Sequence, residues 1–303
     1  MNLTIKTNLT MKTNLITKTN LNMKKVILIF AFALTSSLTF AQDATVAPTP
    51  EAETPEPKFT AAIDVVYPYL WRGIKYNADR VAFQPYMAYS ITDKLSVGVW
   101  ATTNLSNAAD AYNEFDWNIS YQITPIMSIM LSDYYWPATK KAHEEDSSNS
   151  RDSYFDYSEG SAQTLDLSIL FDFSEKGVPL DFQWNTIIGG NDYNYDADGN
   201  STTRAFSSYA EVGYTYSLEK AGVDFRPFVG AAVINGSYYG TDANGEAGFT
   251  FSNVGLNVAK EFKITENYSL PVFIRYTNND YGVVEDTKTV RNFFSCGVTF
   301  NIK

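Results

Sequence analysis

Residues 112–123 read Tyr-Asn-Glu-Phe-Asp-Trp-Asn-Ile-Ser-Tyr-Gln-Ile. Phe115, Trp117, Ile119, Tyr121 and Ile123 share one face of an extended chain, and Glu114, Asp116, Asn118, Ser120 and Gln122 share the other, because successive side chains of a strand point to opposite sides. A period of two excludes an amphipathic helix, whose apolar positions recur every three or four residues. Two architectures use such a strand: a soluble sandwich, apolar face inward, and a barrel in lipid, apolar face outward.

The pattern recurs from Phe59 to Lys303. Leu165, Leu167, Ile169, Phe171 and Phe173 oppose Asp166, Ser168 and Asp172; Leu180, Phe182 and Trp184 oppose Asp181, Gln183 and Asn185. Tyr268, Leu270, Val272, Ile274 and Tyr276 oppose Ser269, Phe273 and Arg275, and the last strand places Phe294, Cys296, Val298, Phe300 and Ile302 against Ser295, Gly297, Thr299 and Asn301. Parity changes at Phe251–Val254, where a β-bulge is expected. The interruptions choose between the architectures. Tight turns at 91–94, 123–126, 174–179, 218–222 and 262–267 alternate with longer polar loops near 70–80, 103–112, 137–160, 190–204, 235–247 and 278–289. Five short turns and six long loops join twelve strands and place both termini at the short-turn end. The expected fold is therefore an all-β, up-and-down antiparallel transmembrane barrel of about twelve strands in an outer membrane, with periplasmic termini.

The N-terminus agrees with export. Met23-Lys24-Lys25, the apolar run Val26–Leu34 and Phe40-Ala41-Gln42 have the layout of a signal peptide and its cleavage site. Residues 1–22 are expected to be an extension ahead of the true start, 23–41 the signal, 42–58 a Pro, Ala and Glu rich periplasmic lead-in, and 59–303 the barrel. The chain has 303 residues, a formal charge of −11 and a single cysteine, Cys296. Loss of 1–41 removes five lysines and no acid, leaving about −16, which argues against nucleic-acid partners. The expected partners are outer-membrane lipids, the barrel-assembly machinery and small polar solutes, with no cofactor and no metal.

Tyr69-Leu70-Trp71-Arg72-Gly73, then Gln84, Gly98-Val99-Trp100, Glu114-Phe115-Asp116 with Tyr121, and Tyr134-Tyr135-Trp136-Pro137 follow one another over about seventy residues. In order and spacing this stretch resembles the TorF-type porins, a family of exported outer-membrane barrels. It departs from the family at Tyr67, where a serine is expected, and at Thr102-Thr103-Asn104 in place of Ser-Asn. The resemblance implies an outer-membrane pore and leaves the solute open.

By parity the lumen face receives Asp64, Glu114, Asp116, Asp166, Asp172, Asp181, Glu211 and Asp224, with Arg226 and Arg275. An open acidic lining favours cations; the alternative is a polar network of these acids with Arg226, Arg275 and Arg72 that fills the barrel. Arg72, where the first strand meets its loop, either lines the pore mouth or braces the loop. Tyr67, Tyr69, Trp71, Tyr134, Tyr135, Trp136, Tyr214, Tyr216, Tyr238 and Tyr239 are expected in interfacial girdles, where an amphipathic ring is best solvated. His143, the only histidine, lies inside a solvated charge run rather than on a strand edge, and general acid–base work would need a rigidly positioned partner, so no enzyme is expected. Asn194–Asn200 echoes the start of a calcium loop but lacks the closing glutamate, Ala205 standing in its place, and reads as an Asp-Gly turn. The resulting expectation is passive diffusion of small polar solutes, cations preferred. The alternative is a plugged structural or adhesin-like barrel that binds external partners through its long loops.

Overall fold

The computed structural model describes residues 58–302, apart from 78, 107, 109–110, 146–153, 197, 243 and 286–287. The expected extension (1–22), signal (23–41) and lead-in (42–58, save Lys58) lie outside the described residues.

Twelve strands close one antiparallel sheet: β1 (Phe59–Tyr67), β2 (Ala82–Ser90), β3 (Leu95–Thr103), β4 (Asn113–Thr124), β5 (Met127–Tyr135), β6 (Gln163–Asp172), β7 (Leu180–Gly190), β8 (Ser208–Tyr214, continued by Tyr216–Leu218), β9 (Val223–Ile234), β10 (Thr250–Thr265), β11 (Tyr268–Glu285) and β12 (Lys288–Ile302). Each strand pairs with the next, and β1 pairs with β12 from Ala61↔Ile302 to Tyr67↔Cys296. Closure leaves no free sheet edge, so every strand is hydrogen-bonded on both sides, which a segment without water around its backbone requires.

Burial is inverted relative to a water-soluble core. Met87, Tyr89, Phe115, Ile119, Tyr121, Leu167, Val229 and Phe300 are exposed, whereas Gln84, Asp116, Ser132, Asp166, Ser168, Asn185, Glu211, Asn253 and Thr277 are buried. An apolar outside and a polar inside are what lipid solvation of a barrel demands. Leu167 sits at the centre of β6 on the exposed face. Leu167→Arg is expected to cost about 2–4 kcal/mol, the penalty for a cation near the bilayer midplane, in reversible denaturant unfolding from lipid vesicles. A cost no larger than that of Leu167→Ala would mean that this face does not meet lipid.

The ladder meets one local expectation and departs from another. Between β9 and β10, Gly230 pairs with Asn253 and Ala232 with Thr250, so β10 carries one extra residue at 251–252, the slip that the parity change at Phe251–Val254 announces. The expected loop at 278–289 is instead a continued hairpin. After a shift between Asn278 and Val283 the ladder resumes with Val283↔Val290, Val284↔Thr289 and Glu285↔Lys288. The polar run Thr277-Asn278-Asn279-Asp280 reads as a loop, but β-branched pairs beyond it restore the strands. The 137–160 loop opens with a short helix, Lys140–Glu145, that carries His143.

Candidate functional site

The site is made by a loop that turns inward. Beyond Pro68 the chain forms a small hairpin, Leu70–Trp71 against Ile74–Lys75, with Arg72 and Gly73 at its tip. Both tip residues are left-handed, φ 47° and 83°. Gly73 is pressed on the inner wall: a Cβ there would lie 1.6 Å from the carbonyl oxygen of Ser252 on β10, and its own carbonyl accepts a bond from Asn279 Nδ2 of β11 at 3.1 Å. Only glycine fits so close a backbone approach at that φ.

From this tip Arg72 reaches the wall at β6. Its guanidinium donates to Asp166 Oδ2 at 2.7 Å and to the Tyr239 hydroxyl at 2.8 Å, and lies 4.3 Å from the ring centre of Trp71 and 5.2 Å from that of Tyr209. Asp166 also accepts from Tyr134 at 3.3 Å and from Ser168 at 3.3 Å. These contacts tie the hairpin tip to β6 through two buried side chains.

A polar ladder continues toward the short-turn end. The Tyr209 hydroxyl donates to Glu211, and Asn253 Nδ2 donates to Glu211 Oε2 at 2.7 Å. Asn253 Oδ1 accepts from Thr277 and, at 3.3 Å, from Arg275. Arg226 pairs with Glu211 at 3.0 Å and forks onto both carboxylate oxygens of Asp181. Gly213 leaves the space this guanidinium fills, since a Cβ there would meet it at 2.4 Å. Below lies a cavity of about 560 Å³ bordered by Asp224, Arg226, Lys260, Glu261 and Arg275. Arg72–Asp166 and Arg226–Asp181–Glu211 are therefore two ion clusters joined through Tyr209.

The remaining expected lumen residues lie apart from that ladder. Asp64 accepts from Thr299 at 2.6 Å, and Asp172 is exposed beside a short turn, where it accepts the Ser174 N–H at 2.9 Å. Glu114 accepts from Tyr112 at 3.1 Å and from Tyr69 at 3.5 Å. Asp116 is buried two residues further along β4.

Above the Arg72 level is a second cavity, of about 280 Å³, walled by Tyr69, Trp71, Tyr76, Tyr112, Tyr134 and Tyr238 with Glu114. This corrects the girdle expectation. Tyr67, Tyr214 and Tyr216 are exposed as interfacial rings would be, but Tyr69 and Tyr239 are buried. Trp71 contacts Tyr76, Tyr134, Tyr238 and Tyr239 at ring separations of 5.8–6.3 Å. Two loops carry most of these rings inside, and Tyr134 has the opposite parity to Tyr135, so clustering near strand ends does not distinguish a girdle from a vestibule.

Sequence reasoning also missed Tyr76, Tyr112, Tyr209, Asn253 and Asp133. The last had a signal: an acid on the parity of Trp117, with which it pairs across β4 and β5. It is buried there because Tyr157 and Gln163, from the loop following the helix and the start of β6, donate to it. At Asn194–Asn200 the turn expected from Asp-Gly is present. Asp196 accepts the N–H groups of Asn200 at 2.8 Å and Asp198 at 3.0 Å, and the backbone bond from Asn200 foremost holds its carboxyl below the usual range. Among the described residues no group of three His, Cys, Asp or Glu side chains is placed to hold a metal ion.

Comparison with known proteins adds a family. Residues 50–268 match Gcw_chp, described as a bacterial protein of unknown function. The chain belongs to the Gcw_chp family. That description assigns the family no activity, and the TorF-type name is not part of it. No curated protein matches the sequence. Among solved structures the chain is similar to the NanC porin, at 10% identity over 80% of this chain and 99% of that one with a TM-score of 0.45. It is also similar to the outer membrane protein OprD from Pseudomonas aeruginosa (14% identity, 80% of this chain and 65% of that one, TM-score 0.33) and to Acinetobacter baumannii OccAB2 (11% identity, 82% and 66%, TM-score 0.37). The chain thus spans about two thirds of the length of the latter two.

Proposed function

We propose that this Gcw_chp chain is a porin-like channel of the outer membrane, with periplasmic termini, that passes small polar solutes and prefers cations. One observation carries the reading. A closed barrel with an apolar exterior holds two polar-edged cavities, one toward each end, and between them stand the inward hairpin and the side chains it binds. A hairpin held by side-chain contacts and one tight backbone approach is a removable obstruction, unlike a lumen filled by strand residues alone. The excess of acids over Arg72, Arg226 and Arg275 on the expected lumen face supports the cation preference. The motif resemblance to TorF-type porins is consistent with the same class.

Planar-bilayer recording tests it. The native barrel is expected to conduct weakly, and a variant with 69–77 replaced by a Gly-Ser link of equal length is expected to conduct severalfold more, with a reversal potential on the cation side of zero in a salt gradient. Silence from both variants in folded form would remove the channel reading. The second reading, a structural barrel filled by its own wall side chains, is favoured by the Arg226–Asp181–Glu211 cluster, which does not involve the hairpin, and predicts that silence.

A further inference from the structure

We propose that the vestibule above Arg72 is a binding site for a small organic ammonium ion. Its wall contains nine aromatic side chains and two acids, Glu114 and Asp192, and no lysine, arginine or histidine. Asp192 is engaged: its two carboxylate oxygens accept the N–H and hydroxyl of Ser207 at 2.8 and 2.7 Å. Glu114 is different. Both of its tyrosine donors, Tyr69 and Tyr112, bond to Oε2, and among the described residues no cationic side chain forms an ion pair with it.

The rings already show what they attract. Arg72 lies over Trp71 at 4.3 Å on the lower side, and Arg204 lies over Tyr193 at 5.0 Å on the rim. Between these, Tyr76, Tyr112 and Tyr238 have no cationic side chain over their faces among the described residues. Tyr76 and Tyr112 stand 4.9 Å apart, centre to centre, and Tyr112 bonds Glu114. Electron-rich faces around a carboxylate are the chemistry that recognises a quaternary or methylated ammonium. The positive charge nearest below, Arg72, is neutralised by Asp166 and so does not repel such an occupant. At about 280 Å³ the cavity is smaller than the roughly 300–1,000 Å³ of pockets for drug-sized ligands. The occupant is small.

The site stands on the cavity and not on conduction, so its test is a binding measurement on the refolded barrel in detergent. Trp71 and Trp136 line the wall and report occupancy by fluorescence. Choline is expected to change this emission saturably. 3,3-Dimethyl-1-butanol, which has the same shape without the charge, is expected to bind about tenfold more weakly or worse. Glu114→Gln, which keeps an acceptor for both tyrosines, is expected to weaken choline about tenfold and leave the neutral alcohol unchanged. Equal binding of the two probes by the native protein, or no saturable change with choline, would overturn the proposal. That comparison needs no variant to fold, and it is decided whether or not the barrel conducts.

Discussion

Arg72→Ala is expected to remove about 3–5 kcal/mol of unfolding free energy, the cost of leaving one member of a buried ion pair unpartnered. Asp166 is fully buried and the Arg72 side chain is 8% exposed, so water cannot replace the lost guanidinium without opening the barrel interior. The same change also deprives the Tyr239 hydroxyl of its donor and uncovers the faces of Trp71 and Tyr209. Asp166→Asn is expected to cost less, since the amide oxygen still accepts from Arg72. Arg72→Met with Asp166→Leu is expected to recover much of the loss, because a buried pair and an apolar pair of similar volume differ little in net stability. Guanidinium unfolding in lipid vesicles, run as a double-mutant cycle, measures all of these. A loss below about 1 kcal/mol for Arg72→Ala, the range of exposed pairs, would mean that the pair is hydrated and the hairpin only loosely seated.

Gly73→Val is expected to expel the hairpin while leaving the ladder intact. A Cβ at Gly73 collides with the Ser252 carbonyl at 1.6 Å, and φ 83° is a conformation that a β-branched residue avoids. Strand backbone on the barrel wall cannot yield, so the hairpin must. Released, it offers Arg72 and Lys75 to trypsin. Cleavage there is expected to rise about 10–100-fold, because proteolysis follows the population of the open form and strain of this kind amounts to about 1–3 kcal/mol. The barrel's heat-modifiable migration on gels should persist up to cleavage. Unchanged cleavage of a folded variant would place the hairpin outside the lumen.

The fold was legible because lipid imposes a rule on every residue of every strand. Alternation from Phe115 to Ile123, repeated twelve times with short and long interruptions, leaves little freedom in strand number or in which face meets which solvent. The one error of this kind, the hairpin at 278–289, came from the polar run after Thr277, where composition says loop but the paired β-branched residues beyond it continue the strands. The site was less legible. Parity put Asp166, Asp181, Glu211, Arg226 and Arg275 on one face, but it carries no information on distance across a lumen. Thus Arg72 with Asp166, ninety-four positions apart, and Arg226 with Asp181 could not be paired in advance. Loops have no parity at all, and so the sequence pattern alone sends Tyr69, Trp71, Tyr238 and Tyr239 to girdles.

What the sequence determined by itself is the barrel: its strand count, its inside and its outside. All of these follow from a period of two and the spacing of turns, which are local properties of the chain. Only the tertiary structure decided that the first loop folds inward, that Gly73 seats it against β10, and that aromatic rings gather above Arg72 around Glu114. Those depend on which backbone atoms meet across the barrel, and such meetings are set by closure of the whole sheet, not by any segment alone.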